Sequence, residues 1–282
     1  MVENRPILNA ISHTLLVLGV AVTLLPIWIT FVASTHAPEE LLRAPIPMWP
    51  GDRLWQNYAE VLSGGITGAG GVPVGLMMLN SLVMALSIAI GKIAISIIAA
   101  FAIVYFRFPF RMGVFWLIFV TLMLPVEVRI LPTFKVVADL DMLNSYAGLS
   151  IPLIASATAT FLFRQFFMTV PKEMVEAARM DGAGPVRFFI DVLLPLSRTN
   201  IAALFVILFI FGWNQYLWPL LITTDESHYT VVMGIQRMVS AAEQLPVWHH
   251  VMATAMLAML PPALIVILMQ RQFIKGLIET EK

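Results

Sequence analysis

The side chains of this 282-residue sequence that could bind a ligand lie mostly within long apolar runs. Lys92 stands near the middle of one run, where a charge costs about 2.5–3.5 kcal/mol on membrane-insertion scales, so its ammonium group is expected to face a cavity or a partner. A phosphomonoester carries about −1.5 to −2 charges at neutral pH, for which Lys92 would be a suitable counter-charge. An ion pair with Glu127, in the next apolar run, is the structural alternative, and the sequence leaves both open.

A second polar group interrupts a later apolar run. Trp213, Asn214 and Gln215, followed by Trp218, bring amide donors and aromatic edges to one place, as the recognition of a polyol requires. The same residue types also form hydrogen bonds between membrane helices and anchor helices at the interface. We therefore predict a substrate pathway at Lys92, Trp213, Asn214 and Gln215, with helix packing as the alternative.

No combination of residues predicts catalysis, a metal site or a cofactor bound by this chain. Cysteine is absent, and His249 and His250 are expected to form a loop pair without a third ligand at metal-binding spacing. Gly91-Lys92 lacks the upstream glycine of a nucleotide-binding phosphate loop. A formal net charge of zero gives no indication of a nucleic-acid partner.

Membrane-spanning helices must position these residues. Hydrophobic residues make up 59% of the chain and charged residues 12%, against about 45–50% and about 25% in an ordinary soluble domain. So much apolar surface requires lipid as the solvent for much of the exterior. The sequence predicts an all-α polytopic membrane protein, a single domain over residues 1–282, with about six spans near residues 10–34, 80–104, 112–134, 146–168, 200–222 and 251–273.

The charges of the loops predict the orientation. Lys and Arg are concentrated at one set of helix ends and loops, which marks the cytoplasmic side and places both termini there. Residues 35–79 then form a periplasmic loop, in which residues 54–62 predict a short interfacial helix with Trp55 and Tyr58 at the headgroups. No segment outside the spans is long enough for a nucleotide-hydrolysing domain, so any ATP is hydrolysed by another subunit.

Residues 170–195 predict a cytoplasmic helix–turn–helix between the fourth and fifth spans. Pro171 suits the first turn of a helix, Gly182 suits the left-handed conformation that ends one, and Pro185 begins a second short helix. Phe188 is expected, with the next residue Phe189, to anchor this segment on the membrane helices. By spacing alone, an amphipathic loop lying on the inner leaflet explains the pattern equally well.

The residue types favour a more specific interpretation. Glu176-Ala177-Ala178, then Gly182, then Leu194-Pro195 at fixed intervals resemble the EAA loop of ABC importer permeases. The resemblance extends over essentially the whole chain. Carbohydrate-type permeases related to the maltose system are similar at Asn80-Ser81, Phe106-Arg107-Phe108-Pro109 and Trp213-Asn214-Gln215-Tyr216. The runs MVENRP, LMLPVEVRILPT, SATATFLFRQFFMT and GWNQYLWPLL resemble the branch of this family that imports sn-glycerol-3-phosphate.

This resemblance implies a type I ABC importer permease fold and a machine of several subunits. The coupling contact with an ATPase is implied for Glu176, Ala177, Ala178, Asp181 and Gly182. The implied partners are a sister permease in a heterodimer, two ATPase subunits that hold ATP and Mg, and a periplasmic solute-binding protein, at the bacterial inner membrane.

The implied solute is sn-glycerol-3-phosphate, with glycerophosphodiesters as further candidates; another sugar or polyol is the alternative. A secondary transporter is more remote, because such folds usually carry internal repeats and would leave the coupling segment without a role.

Overall fold

The computed structural model describes residues 6–45, 47–65, 71–121, 126–240 and 247–278. Its helices, in chain order, are α1 (Pro6–Ser34), α2 (Pro38–Leu41), α3 (Leu54–Ser63), α4 (Val74–Tyr105), α5 (Arg111–Val120), α6 (Val126–Asp139), α7 (Tyr146–Ser150), α8 (Ala157–Thr169), α9 (Lys172–Met180), α10 (Pro185–Phe188), α11 (Leu194–Leu196), α12 (Arg198–Trp213), α13 (Leu217–Ile222), α14 (Val231–Ser240) and α15 (Trp248–Ile278). Within the described ranges the chain is helical, with short loops and turns between the helices.

Three helices are long and apolar enough to cross a membrane individually: Ile7–Ser34, Val74–Tyr105 and Trp248–Gln270. Two further pairs of helices pass the same test only together. Tyr146–Leu153 and Ala157–Thr169 are bent by 48°, and Pro185–Leu196 and Arg198–Trp213 by 71°. The described part of the chain therefore holds three to five candidate spans. This confirms the all-α polytopic membrane fold, and the first, second and last predicted spans each coincide with one of the three long helices.

The third predicted span, residues 112–134, coincides with α5 and α6. Neither helix alone has the length of a span, and residues 122–125 between them lie outside the described ranges. A continuous span at this place, and with it the total of six spans, stays a prediction.

The helices that coincide with the fourth and fifth predicted spans are interrupted. In the fourth, the Ser156 hydroxyl accepts a hydrogen bond from the Ala159 amide at 3.2 Å and starts α8 anew. In the fifth, α12 ends at Trp213 and a new helix begins at Leu217. Pro219 has no N–H to donate to the carbonyl four residues earlier, which explains why the helix does not run through.

The chain forms two compact units. The first comprises Met1–Leu76 and Gly234–Leu260. Its short helix α3 begins at the predicted residue, and buried Asn57 donates to the carbonyls of Ser34 at 2.9 Å and His36 at 3.0 Å. The Tyr58 hydroxyl lies 3.0 Å from the Ser34 hydroxyl. Trp55 is exposed, whereas Tyr58 is half-buried and turned towards the end of α1; their position at the headgroups stays a prediction.

The second unit comprises Met77–Met233 and Pro261–Lys282. One cluster of its core brings together four elements: Met84 and Ile88 of α4, Val137 of α6, Leu149 of α7, and Trp218 and Ile222 of α13. Helix α4 begins at Val74 and not at residue 80, so the predicted loop 35–79 is shorter than expected. Residues 74–79 are as apolar as the predicted span that follows them, and they belong to the same helix.

Candidate functional site

The predicted coupling segment folds as two short helices joined by a left-handed glycine. Gly182 has a φ of +77°, as predicted. The Ala183 amide donates to the Ala178 carbonyl at 2.9 Å, and the Gly182 amide donates to the Arg179 carbonyl at 3.0 Å. These two hydrogen bonds form a Schellman motif, which satisfies the last carbonyls of α9 and stops the helix at a defined residue.

One side of α9 is exposed and the other is turned inward. Glu176, Ala177, Asp181 and Gly182 are exposed, whereas Ala178 is 9% exposed. The sequence predicted that both alanines offer a close approach to another protein. Ala178 instead lines a cavity of about 240 Å³ within this chain, together with residues from the end of α4. Of the five predicted coupling residues, four are therefore accessible to a partner.

Aromatic rings fix the second half of the segment on α4, as predicted. Phe188 packs on Tyr105 with ring centroids 5.3 Å apart, and Phe189 packs on Phe101 at 4.9 Å. The backbone from Phe189 to Leu193 forms a π-helical turn, a local feature that often occurs at functional sites. A displacement of α9 and α10 would therefore act directly on the end of α4.

Lys92 lies on the same helix, α4, and is 7% exposed. Its ammonium nitrogen is 3.7 Å from the centre of the Phe211 ring, a cation–π geometry that partly compensates a buried charge. Gln215 donates its side-chain N–H to the Phe211 carbonyl at 3.1 Å. Phe211 thus connects two of the predicted pathway residues. The alternative ion pair with Glu127 involves a side chain outside the described part of the structure.

Two glycines allow the close helix packing around Lys92. A Cβ on Gly212 would lie 2.9 Å from the Cα of Ala85 on α4, and a Cβ on Gly91 would lie 2.7 Å from a methyl carbon of Ile154. Real Cβ atoms do not approach other atoms so closely. The glycines therefore bring α12 against α4 at Ala85, and the break before α8 against α4 next to Lys92.

The other two predicted pathway residues differ in accessibility. Trp213 is 2% exposed and stacks on Phe209, with ring centroids 5.8 Å apart. Asn214 is exposed at the end of α12, where the helix breaks. Trp218, also buried, donates its indole N–H to the Gly148 carbonyl at 3.0 Å. Both tryptophans thus pack inside the second unit, while the amide of Asn214 is available to a ligand.

Sequence reasoning missed a polar clamp around residues 223–231. The Asn80 amide donates to the carbonyls of Ser227 at 2.8 Å and Tyr229 at 2.9 Å, and the Tyr146 hydroxyl donates to the Asn80 side-chain oxygen at 2.6 Å. Asn144 similarly accepts from the amides of Thr224 and Asp225. The available signal was Asn80 itself, a polar side chain within an apolar run, which is expensive unless it is satisfied.

The expectation for His249 and His250 was wrong in two respects. Both residues lie in the first turn of α15 and not in a loop. A third potential ligand, Glu60 of α3, is present, and one ligand atom from each of the three side chains lies within 4.8 Å of the others. All three residues belong to the first unit.

Residues 92–279 match the family described as the binding-protein-dependent transport system inner membrane component. This chain belongs to that family. It is 60% identical over 282 residues, 100% of both chains, to the sn-glycerol-3-phosphate transport system permease protein UgpE of Agrobacterium fabrum. The same protein of Rhizobium meliloti is 58% identical, and that of Pectobacterium atrosepticum 56% identical, over the same full length.

A solved structure shows the same fold. One chain of a bacterial ABC transporter involved in the import of the acidic polysaccharide alginate superimposes with a TM-score of 0.82. The match covers 97% of this chain and 99% of that chain at 19% sequence identity. Membership in the family confirms the resemblance predicted from the EAA segment and establishes this chain as a multi-pass membrane permease.

Proposed function

We propose that this chain is a permease subunit of a binding-protein-dependent ABC importer that moves sn-glycerol-3-phosphate into the cytoplasm. Full-length identities of 56–60% to permease proteins of sn-glycerol-3-phosphate transport systems support the solute and the class. One structural relationship carries the mechanism: the coupling segment contacts α4 through Phe188 on Tyr105, and the same helix holds the buried charge of Lys92.

The coupling step follows from the exposed face of α9. An ATPase subunit would dock on Glu176, Ala177, Asp181 and Gly182, all of them accessible. Two such subunits would bind ATP and Mg and hydrolyse the ATP. In this proposal the chain itself supplies no hydrolytic site. Because the Schellman motif and the aromatic contacts hold α9 and α10 against α4, movement of the ATPase is transmitted to that helix.

The solute pathway would run past Lys92, with Asn214 and Gln215 nearby. In its contact with the Phe211 ring, the Lys92 ammonium group faces no negatively charged partner in the described part of the chain, and the phosphate monoester would supply one. The two amides can form hydrogen bonds with the hydroxyl groups of the glycerol part. Trp213 is assigned a supporting role, because it is 2% exposed and its ring stacks on Phe209.

The remaining parts of the proposal concern the assembly. A second, different permease would complete the pathway, and a periplasmic binding protein would deliver the solute. The chain would lie in the bacterial inner membrane with both termini in the cytoplasm. The rigidly held residues 223–231 then lie on the periplasmic side, where the binding protein docks.

The test is uptake of labelled sn-glycerol-3-phosphate into proteoliposomes that contain this chain, the second permease and the ATPase, with binding protein outside and ATP inside. Uptake that requires both ATP and binding protein, with no uptake of maltose, is the expected result. ATP-dependent uptake of a different solute would keep the importer and reject sn-glycerol-3-phosphate. Uptake by this chain alone, driven by an ion gradient, would overturn the importer itself.

A further inference from the structure

The first unit contains a group of metal-ligand side chains that transport does not explain. Glu60 projects from α3, and His249 and His250 from the start of α15. The Nε2 atom of His250 lies 3.4 Å from Oε2 of Glu60, and the two imidazole rings have centroids 4.2 Å apart. Two residues adjacent on a helix and a third from another helix thus converge on one small volume.

A second observation concerns His249. His249 is only 5% exposed, and its Nδ1 atom has no hydrogen-bond partner among the described residues. A buried ring nitrogen without a partner costs free energy, unless it gains one by binding a ligand. A neutral imidazole nitrogen is a common metal ligand, so a bound metal ion would remove this cost.

We propose that Glu60, His249 and His250 bind one divalent zinc ion, which links α3 to the start of α15. Two imidazole nitrogens and one carboxylate oxygen are a ligand set that zinc prefers, with water in the fourth position. Ligand bonds of about 2.0–2.2 Å in a tetrahedron place neighbouring ligand atoms about 3.3 Å apart. The 3.4 Å distance between Glu60 and His250 already matches that edge.

A fourth residue orients the carboxylate. Gln56 donates its side-chain N–H to Oε1 of Glu60 at 3.0 Å, which leaves Oε2 free to face the histidines. Groups of this kind, which hold a ligand without touching the metal, typically contribute 10–100-fold to metal affinity. Gln56 is therefore a positioning residue of the proposed site.

A simple hydrogen bond between Glu60 and His250 is the competing interpretation. The two differ in the part played by His249, which a two-residue hydrogen bond does not need. The chain also offers a matched control, the pair Asp225 and His228, whose carboxylate oxygen and Nδ1 lie 3.8 Å apart. That pair has a carboxylate and one imidazole, and among the described residues it has no third metal ligand beside it.

The experiment is a zinc titration of the full chain, with its purification tag removed, in lipid nanodiscs, with a chromophoric chelator as competitor. One equivalent is expected to bind. His250→Gln and Glu60→Gln, both at partly exposed positions, should each weaken binding by about 100-fold or more, and Gln56→Ala by about tenfold. The double variant D225N/H228Q should bind like the unchanged chain.

The His249 variant and hydrogen exchange complete the test. His249→Gln should lose binding as His250→Gln does, and zinc should slow amide exchange in residues 54–63 only when the three ligands are intact. Saturable binding that His249→Gln and His250→Gln leave unchanged would overturn the proposal, as would the absence of a tight equivalent in the unchanged chain.

Discussion

The ammonium nitrogen of Lys92 lies over the face of the Phe211 ring, 3.7 Å from its centre. The two side chains belong to α4 and α12, which approach closely at Gly212. A cation on an aromatic face is stabilised by about 0.5–2 kcal/mol, the larger value applying when water is excluded. The aromatic face of Phe211 thus partly compensates for the loss of water around the ammonium group of Lys92.

Lys92→Met should abolish uptake of the phosphorylated solute and leave the assembled complex intact. The substitution keeps most of the side-chain volume but removes the counter-charge. Lys135→Met is the matched control, because Lys135 is exposed and paired with Asp139 at 2.8 Å. Uptake by the Lys92 variant at the level of the control would assign Lys92 to packing alone.

Gly182→Ala should reduce ATPase activity that depends on the binding protein. Its φ of +77° costs an alanine about 1–2 kcal/mol, which weakens the Schellman motif at the end of α9. Gly184→Ala provides the control two residues further on, where φ is −72° and no atom lies within 4 Å of the added Cβ. Stimulated ATP hydrolysis should be normal in the second variant. Equal ATPase activities in the two variants would show that coupling does not depend on Gly182.

Gly212→Val should destabilise the second unit by about 1–3 kcal/mol, because its Cβ would press on the backbone of Ala85. Gly19→Ala, on α1, adds a Cβ that meets nothing within 4 Å, and a helical alanine is favoured over glycine. The thermal unfolding temperature in detergent should therefore fall for the Gly212 variant and stay level or rise for the Gly19 variant. A Gly212 variant as stable as the parent would show that α4 and α12 can separate without cost.

Asn80→Ala should loosen residues 223–231. The variant leaves the carbonyls of Ser227 and Tyr229 and the Tyr146 hydroxyl without their partner, at a cost of about 1–3 kcal/mol. Tyr146→Phe removes only one of these hydrogen bonds and should have a smaller effect. Hydrogen exchange of the loop amides measures both. The order of the two variants is the test, since a larger effect of Tyr146→Phe would contradict the assignment of Asn80 as the centre of the clamp.

The stability of the first unit should decrease as the pH rises from about 6 to about 8. Burial opposes the charge on His36, but hydrogen bonds with the Trp49 carbonyl and with Glu40 outweigh it and raise the pKa of His36 above 6.5. Because the folded pKa is the higher one, the stabilisation is complete below pH 6.5 and is lost as the pH rises through the folded value. His36→Gln should flatten the thermal stability between these pH values, and an unchanged slope would exclude His36 as its source.

Local patterns were sufficient for much of this structure. The first, second and last predicted spans follow from long, mostly apolar runs, which can be recognised from the sequence alone. The two short helices of residues 170–195 were also predictable, since Pro185 fixes φ at the start of a helix and Gly182 can adopt the positive φ that ends one. The breaks in the fourth and fifth spans were missed because hydropathy does not register a capping serine or a proline that follows the break.

The contacts that define the sites were decided by the tertiary structure. Lys92 could be singled out as a buried charge from its apolar neighbours, but its partner Phe211 lies on another helix. Glu60 and His250 are 190 residues apart in the chain, and no spacing rule connects them. Local conformation depends on neighbouring residues and on the solvent, so it can be predicted from short stretches of sequence. The pairing of distant side chains depends on how the helices pack, and that packing is determined by the chain as a whole.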